Sequence, residues 1–445
     1  MDGEKMAFNF SQTKKEFLSA IVFAFLSFSL FSADAKFSGA VTGEMGMPFP
    51  YALGSGDFST AIVRFDGNLY LYATDSLTFY ASGSALLDAM AYQKDSYDLA
   101  GKDGMFGLSL NEAWVDYSTD YWAVRIGRQI NAWGTADGIA VTDILCPKNY
   151  TSIDSMLSTD SRLGIDAARV SAKFDKFAFD FYWIPFVRTI ALPTSASHPL
   201  TKDFANDNDL ALRLAKSRKV DISAENFEYA LKASAYWKYA DVSLYAFYGW
   251  DRFPSEFNLY TKEDGKAVYF EGIHKRILMF GADASIPIGD LMLRLECALF
   301  PYNAITAPFT PIDEILSADV IPSDRNNKMT FLSGVDWMPG GWILSAQYYG
   351  DIVFGEMAKI TRDRYIHLAT LAVSKTFFGD TLSLSLAGLL QLGAWNNAFM
   401  FLAAYSVTDS FTVYSKFTFL HYVQEVLLDD YKNWGAATIG ARYAF

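Results

Sequence analysis

Charged and amide side chains recur at every second position in several stretches of this sequence. Within residues 59–90, Arg64, Asp66 and Asn68 alternate with apolar residues. Alternation with a period of two places the two sets on opposite faces of a β-strand. A face with charges of both signs suits contact with water inside a channel, and the apolar face suits contact with lipid. The polar side chains at these positions are therefore predicted to line a water-filled lumen.

Counting positions along each strand predicts which side chains face the interior. Charges of both signs there predict a water-filled lumen with broad and weak selectivity. Several of these residues are also expected to pair across neighbouring strands. The predicted pore-lining residues are Arg64, Asp66, Glu112, Asp116, Arg125, Gln129, Asp137, Asp143, Lys232, Arg294, Glu296 and Arg442.

No grouping of residues indicates an enzyme. Neither a G-x-S-x-G nor an H-E-x-x-H motif occurs. The acidic run at 203–209 lacks the central Gly and the closing Glu of a calcium loop, so it is interpreted as a solvated loop. We therefore expect no catalytic residue, no cofactor and no metal. The four histidines are spread along the chain, at His198, His274, His367 and His421.

Short polar turns join the alternating runs in pairs. Each run is on the order of 10–14 residues, long enough for a tilted strand to cross a bilayer. The turns contain Pro, Gly and Asp, which supply the bends and local hydrogen bonds of tight hairpins. Eight such turns are predicted, at residues 74–76, 119–120, 175–176, 240–241, 287–290, 339–341, 378–380 and 408–410.

Longer polar connections alternate with these turns, and the asymmetry is typical of an outer-membrane barrel. Counting the first and last strands, the runs predict an all-β, antiparallel up-and-down transmembrane barrel of eighteen strands, with sixteen as the alternative. An even number places both termini on the periplasmic side. A soluble propeller or sandwich would instead bury the apolar faces in a shared core. The long connections are predicted at 91–107, 131–161, 188–225, 252–275, 301–327 and 355–363.

Two places depart from the regular pattern. Near Ala167 the polar set changes phase, which predicts a β-bulge. The connection from Ala394 to Asn397 falls on the long-loop side although it is very short. Neither departure changes the predicted fold.

The overall composition excludes several classes of protein. A net charge of −13 argues against binding to nucleic acid, whose phosphates require a basic surface. Aromatic residues make up 16% of the chain, and Tyr and Trp favour membrane–water interfaces. Cys146 and Cys297 are too few for a disulfide scaffold. They are expected to stay apart, because Cys297 faces lipid and Cys146 lies in a loop.

The N-terminus has the pattern of an export signal. Two lysines precede an apolar run of about 15 residues, short for a spanning helix, and an A-x-A site ends at Ala35. This predicts a signal peptide at 1–35 and a barrel at 36–445, with an uncleaved anchor as the alternative. Translation is expected to start at Met1 or Met6. The barrel strands begin at once, so no N-terminal plug is expected.

A strand ending in G-R-Q at 127–129 leads into the long loop at 131–161. This loop contains W-G at 133–134, the spaced residues Asp137 and Asp143, and a proline. It is long for a loop without an element of its own. Two interpretations stay open. The loop folds inward and narrows the lumen, or it is a surface loop held by the packing of its tryptophan.

Residues 125–150 resemble a family of uncharacterised, porin-like outer-membrane barrel proteins of Gram-negative bacteria. Members have a strand ending in G-R-Q, followed by W-G, spaced Asp residues and a Pro. The resemblance implies a barrel in the outer membrane and leaves the substrate open. The last strand also resembles the C-terminal signature of outer-membrane barrels, in which a terminal Phe, here Phe445, is read by the barrel-assembly machinery.

Together these features favour a channel for the passive diffusion of small hydrophilic solutes across the bacterial outer membrane. Its expected partners are the lipid bilayer, the assembly machinery and the solutes, and a homo-oligomer is compatible with the sequence. An alternative is a structural or ligand-binding barrel of the adhesin type, favoured by the length of loop 188–225. A transporter for hydrophobic substrates is less favoured, because it usually has an N-terminal segment inside the barrel.

Overall fold

The structure is a computed structural model. It describes residues 34–48, 59–136, 139, 141–152, 155, 161–194, 211–261, 267–307, 319–360, 362–421 and 433–445. Apart from its last two residues, the predicted signal peptide lies outside this part of the chain. The first strand begins at Asp34. The cleavage site at Ala35 and the start of translation at Met1 or Met6 stay predictions.

Long antiparallel strands make up most of the described chain, because apolar and polar residues alternate over each of them. Short 3₁₀ turns lie in the loops, at Lys94–Ser96, Ala224–Asn226 and Met357–Lys359. In chain order the strands are β1 (Asp34–Pro48), β2 (Thr60–Tyr72), β3 (Leu77–Asp88), β4 (Leu99–Ala100), β5 (Phe106–Ser118), β6 (Trp122–Gln129), β7 (Ile165–Phe174), β8 (Phe177–Phe186), β9 (Ala211–Ala215), β10 (Glu228–Tyr236), β11 (Asp241–Trp250), β12 (Glu256–Thr261), β13 (Ala267–Ile273), β14 (Arg276–Ile288), β15 (Leu291–Thr306), β16 (Val320–Ile321), β17 (Ser323–Trp337), β18 (Trp342–Phe354), β19 (Tyr365–Phe377), β20 (Leu382–Leu392), β21 (Asn397–Ser406), β22 (Phe411–His421) and β23 (Asn433–Ala444).

Eighteen of these strands form a closed antiparallel barrel, which confirms the predicted fold and the larger strand count. Each barrel strand pairs with the next one along the chain. The first and last strands close the ring, with Ala40 opposite Ala444 and Pro48 opposite Ala436. Closure pairs the backbone groups of the barrel wall without water, which a bilayer requires.

The two ends of the barrel differ as the sequence predicts. Turns of two to four residues join hairpins at one end, where both β1 and β23 also have their termini. Longer connections lie at the other end. The exception is the connection between Leu392 and Asn397, which is short and lies at the long-loop end as predicted.

The barrel wall contains a register shift near Ala167, where the sequence predicts a bulge. The shift lies between Asp166 and Ala168 in the pairing of β7 with β8, while the pairing of β7 with β6 is continuous. The additional residue therefore belongs to β8, next to Pro185, which has no N–H for the ladder. Asp166, whose polar side chain departs from the alternation of the rest of β7, forms an ion pair of 3.0 Å with Arg128.

The long connections contain more structure than the sequence predicts. Strands β9, β12, β13 and β16 lie in the connections predicted at 188–225, 252–275 and 301–327, and they form a separate four-stranded sheet. Strands β15 and β17 also extend into the third connection, past a register shift between Phe300 and Asn303. The strand pattern is interrupted at this point, because Pro301 has no N–H to donate to the ladder and Tyr302 has a positive φ. The sequence pattern therefore did not predict that the two strands continue beyond it.

The outward face of the barrel is apolar and uncovered. Val63, Leu231, Leu244, Phe280 and Leu371 are each about half exposed. Lipid is the apolar partner of such a surface in a closed barrel.

Exposed aromatic residues collect near the short turns, as expected at a membrane–water interface. They include Tyr117, Tyr121, Trp122, Trp237, Tyr239, Trp337, Trp342, Tyr405 and Tyr443. Among the described residues no helix is long and apolar enough to cross a membrane.

Candidate functional site in the barrel interior

The inward faces of neighbouring strands bring several predicted pore-lining residues into pairs. Arg64 lies 2.9 Å from Asp66, and the same carboxylate accepts a hydrogen bond of 2.7 Å from Ser84. Arg125 lies 2.8 Å from Asp116 on the adjacent strand. Much of the charge on this side of the wall is therefore compensated locally.

Three further predicted residues lie elsewhere on the interior. Glu112 accepts a hydrogen bond of 2.8 Å from the backbone N–H of Ile130. The Lys232 ammonium lies 5.5 Å from the centre of the Tyr245 ring. Arg442 is exposed and borders the cavity described below. These residues differ in role, since Glu112 positions the start of the loop and Arg442 faces open space.

The described residues between 130 and 146 lie along the inner wall, on the side formed by β7, β8, β10, β11, β14, β15, β17 and β18. Trp133, Val141 and Leu145 are almost completely buried there. Apolar packing of this extent removes the side chains from water and orders the segment. The buried wall residues in the same cluster are Ile165, Ala167, Tyr182, Ile184, Ala230, Tyr245, Phe247, Ile277, Met279, Ala298, Phe300, Leu332 and Tyr349.

Glu296 on β15 holds this segment through its carboxylate. The carboxylate accepts hydrogen bonds from the backbone N–H groups of Thr135, Ala136 and Thr142 and from the Thr142 hydroxyl. Two residues away, Arg294 donates to the carbonyl of Thr135. Glu296 is 4% exposed, so water cannot replace these bonds. The wall thus supplies both an acceptor and a donor for the segment.

Two glycines of the stretch that resembles a known family have conformations that other residues avoid. Gly127 has a φ of +128°, and a Cβ there would collide with the carbonyl of Ala113. Gly134 has a φ of +80°, and a Cβ there would lie 2.5 Å from an oxygen of Glu296. Gly134 therefore allows the backbone to approach the carboxylate that holds it.

Asp143, which the sequence places in the interior, is nearly buried within the inner segment. It lies 2.7 Å from Arg162 and accepts a hydrogen bond of 3.2 Å from the backbone N–H of Trp133. Gln129 is fully buried at the start of the segment and donates to the carbonyl of Ala167 at 3.0 Å. Asp137 lies outside the described residues. The pore-lining assignment of all twelve residues stays a prediction.

Arg252, from a long connection, provides a second support for the segment. It forms a buried ion pair of 2.9 Å with Glu228 and donates to the carbonyl of Leu145 at 2.8 Å. A third hydrogen bond, of 3.2 Å, goes to the carbonyl of Arg188. Because Glu228 is fully buried, this pair replaces the water that both charges lose.

Burial also changes the ionisation of groups in the loop. It raises the pKa of the Cys146 thiol to about 12, so this cysteine is neutral at neutral pH. Desolvation lowers the pKa of the Lys148 ammonium and raises the pKa of the Tyr150 hydroxyl. Both cysteines are free, as expected. A buried neutral thiol is inert, so Cys146 contributes packing and not reactivity.

A cavity of about 690 Å³ lies between the loop and the opposite wall, which β1, β2, β3, β5 and β23 form. Fifteen of its 33 lining residues are Ser, Thr, Asn or Gln, so neutral hydrogen-bonding side chains are the largest group on its wall. Five lining residues are basic and three are acidic. The cavity is thus polar, and it lies to one side because the loop segment occupies the other.

Sequence reasoning missed several residues of this cavity. Thr42, Glu44 and Lys416 have the inward position in their strands, so counting positions could have identified them. Glu44 accepts from Tyr414 at 2.6 Å and lies 3.7 Å from Lys416. Arg252, which supports the loop segment and does not line the cavity, could not be identified in this way, because it lies in a connection without periodicity.

No family model and no curated protein matches this sequence. Solved structures do match over almost the whole chain. OccAB1 of Acinetobacter baumannii has a TM-score of 0.54 at 9% identity, covering 93% of this chain and 96% of that one. OccK8 (OprE) of Pseudomonas aeruginosa has a TM-score of 0.52 at 10% identity, covering 93% and 98%. OccK1 (OpdK) of P. aeruginosa gives 0.53 at 8% identity, with the same coverage.

This is the fold of outer-membrane porins. At these identities the likeness establishes the fold, and the apolar outer face agrees with it independently. The barrel therefore belongs in the outer membrane of a bacterium, in contact with lipid. In barrels of this kind the short turns face the periplasm and the long connections face the exterior, and we expect the same orientation here.

Proposed function

We propose that this protein is a passive channel for small hydrophilic solutes and that loop 131–161 narrows its lumen. The observation that carries the proposal is the position of the loop segment, which packs against one side of the inner wall and leaves a polar cavity on the other. A surface loop would not place Trp133 and Leu145 against inward-facing residues of the strands. The proposed path follows the polar side.

Two structural neighbours support the choice of small organic solutes. OccK2 (OpdF) of P. aeruginosa is known in complex with glucuronate, and OpdK of the same organism is known with vanillate. We propose no catalytic role for the chain. Among the described residues no group of three or more His, Cys, Asp or Glu side chains could hold a metal ion.

Swelling of proteoliposomes tests the proposal. Vesicles that contain the refolded barrel are diluted into linear polyols of increasing length, and swelling rates are compared with those of empty vesicles. A narrowed channel admits the shortest polyols fastest and excludes the longest. Swelling no faster than that of empty vesicles for every polyol would contradict the channel function. Rates independent of polyol length would contradict the narrowing.

A surface-exposed binding barrel is the second candidate. The observation that favours it is the four-stranded sheet built by β9, β12, β13 and β16 from three of the long connections. An ordered sheet at the exterior could present a binding surface that a plain pore does not require. Deletion of residues 195–220 tests this candidate. It predicts loss of binding to cells or ligands with retention of conductance.

A further inference from the structure

Four aromatic rings form a continuous patch on the inner wall near the short turns. Tyr70 lies next to Tyr72, with ring centres 6.0 Å apart, and next to Tyr80, at 4.3 Å. Tyr80 in turn lies 5.0 Å from Trp114. The guanidinium of Arg125 covers Trp114 at 3.8 Å. The four rings come from β2, β3 and β5, so three neighbouring strands hold the patch rigidly.

Strand register places this patch on the inner face. Tyr70 is opposite Tyr80, and Tyr80 is opposite Trp114, just as Asp66 is opposite Ser84 in the same two strands nearer the cavity. Lipid therefore does not account for these rings, unlike the aromatic belt on the outer face. Tyr72 is 38% exposed, so part of its side chain stays uncovered although the Lys36 ammonium lies 5.3 Å from the centre of its ring.

The patch is continuous with the polar cavity. The Tyr80 hydroxyl donates to Asn68 at 3.1 Å, and Asn68 lines that cavity. A solute that leaves the cavity along this wall meets the aromatic rings next. The cavity wall above them is rich in hydroxyl and amide groups, and the carboxylates of Asp66 and Glu44 lie beside Arg64 and Lys416.

From this juxtaposition we propose that the wall carries a binding site for the ring of a neutral sugar, with Tyr72 and Tyr70 as the stacking surface. This inference rests on the proposed channel function and names its solute class. One face of a pyranose presents C–H groups that pack on an aromatic ring, while its hydroxyls require neutral donors and acceptors. An acyclic polyol lacks such a face. An aromatic carboxylate would favour a cationic wall. The adjoining cavity wall is mostly neutral, and of the two cations at the patch Arg125 is already paired with Asp116, while the Lys36 ammonium lies over Tyr72. The binding of benzoate is therefore the competing outcome of the test.

Binding to the refolded barrel in detergent micelles is measured by calorimetry with three probes: methyl α-glucopyranoside, the acyclic glucitol, and benzoate. The glucoside is expected to bind, and glucitol is expected to bind about two- to tenfold more weakly because it cannot stack. Equal affinities for the glucoside and glucitol, or binding of benzoate alone, would overturn the inference.

Variants locate the site. Tyr72→Leu keeps apolar volume without a ring face, and it is expected to weaken glucoside binding about two- to tenfold. Tyr72→Trp is expected to retain it. Tyr117→Leu is the matched control, because Tyr117 lies at the same end of the barrel on the outer face. Unchanged affinity in Tyr72→Leu, or an equal loss in Tyr117→Leu, would overturn the assignment.

A second measurement separates this inference from the channel function. In a planar bilayer the glucoside is expected to interrupt the current for longer in the unaltered protein than in Tyr72→Leu. Open channels without interruptions and without calorimetric binding would remove the sugar site and leave the channel function standing. Calorimetric binding by a barrel that passes no current would remove the channel function and leave the site.

Discussion

Glu296 shows how a single inward carboxylate can hold a loop against a barrel wall. It faces backbone N–H groups of the inner segment instead of a second charged side chain. A carboxylate that accepts several N–H bonds in a buried site is a strong anchor, because each bond lost would leave a donor unsatisfied.

Replacing this anchor should loosen the segment. Glu296→Ala is expected to lower the free energy of unfolding by about 2–3 kcal/mol and to increase fluctuations of the open-channel current. Chemical unfolding in micelles and single-channel recording measure the two effects. Glu44→Ala is the control, since Glu44 lines the cavity without touching the segment. Equal noise in both variants would contradict the role of Glu296.

The buried pair of Arg252 with Glu228 makes a different prediction at the same scale. Arg252→Met should cost about 3–5 kcal/mol, because it leaves the buried Glu228 carboxylate without its cation and with only the backbone N–H of Trp250 as a donor among the bonds described. The double variant Arg252→Met with Glu228→Gln should recover part of this loss. Chemical unfolding of the single and double variants measures the difference. A double variant no more stable than Arg252→Met would contradict the claim that the uncompensated Glu228 charge causes the loss of stability.

At the scale of elements, the proposed function makes the inner segment the part that sets the width of the passage. Its packing on one side of the barrel combines apolar contacts by Trp133 and Leu145 with the anchors at Glu296 and Arg252. Glu296 belongs to the barrel wall, whereas Arg252 belongs to a long connection, so two separate parts of the molecule hold the segment. The segment is therefore expected to move as a unit and not residue by residue.

Replacing residues 135–142 by a Gly-Ser linker of equal length should widen the passage. Conductance is expected to rise to about twice its original value, since the displaced side chains no longer occupy the lumen. The control is the same replacement at 216–223, a mostly exposed stretch. Single-channel recording compares the two. An unchanged conductance in the first variant would show that the segment does not limit the passage.

Hairpins could be predicted from the sequence because their signals are local. Alternation over a dozen residues and a turn with Pro, Gly or Asp suffice to define β14, β15 and the turn between them. The course of the inner segment was left open, because its contacts join residues about 160 positions apart, as from Thr135 to Glu296. The four-stranded sheet escaped prediction for the same reason, since its strands are short and come from three connections.

At the scale of the whole molecule, closure between β1 and β23 joins the two ends of the barrel. The ring of Phe445 lies 5.8 Å from Phe37 and 6.1 Å from Phe65, and its backbone exchanges hydrogen bonds with Gly39. The terminal residue is thus part of the closing seam. The sequence predicts a second role for this residue, in assembly of the barrel.

Phe445→Ala tests both roles. In cells it is expected to reduce the amount of folded barrel in the outer membrane several-fold, and Tyr443→Ala is the control on the same strand. Refolding of purified Phe445→Ala into micelles is expected to succeed, because most of the seam pairing remains. Heat-dependent migration on gels measures folding in both cases. Equal loss in cells for both variants would argue against a specific terminal signal.

The central claim is that water and small solutes pass through this barrel beside its inner loop. The most direct measurement is the current across a planar bilayer after addition of the refolded chain, without its predicted signal peptide. We predict discrete upward steps of uniform size, each from the insertion of one open barrel. A folded, inserted barrel that leaves the membrane resistance unchanged would contradict the claim.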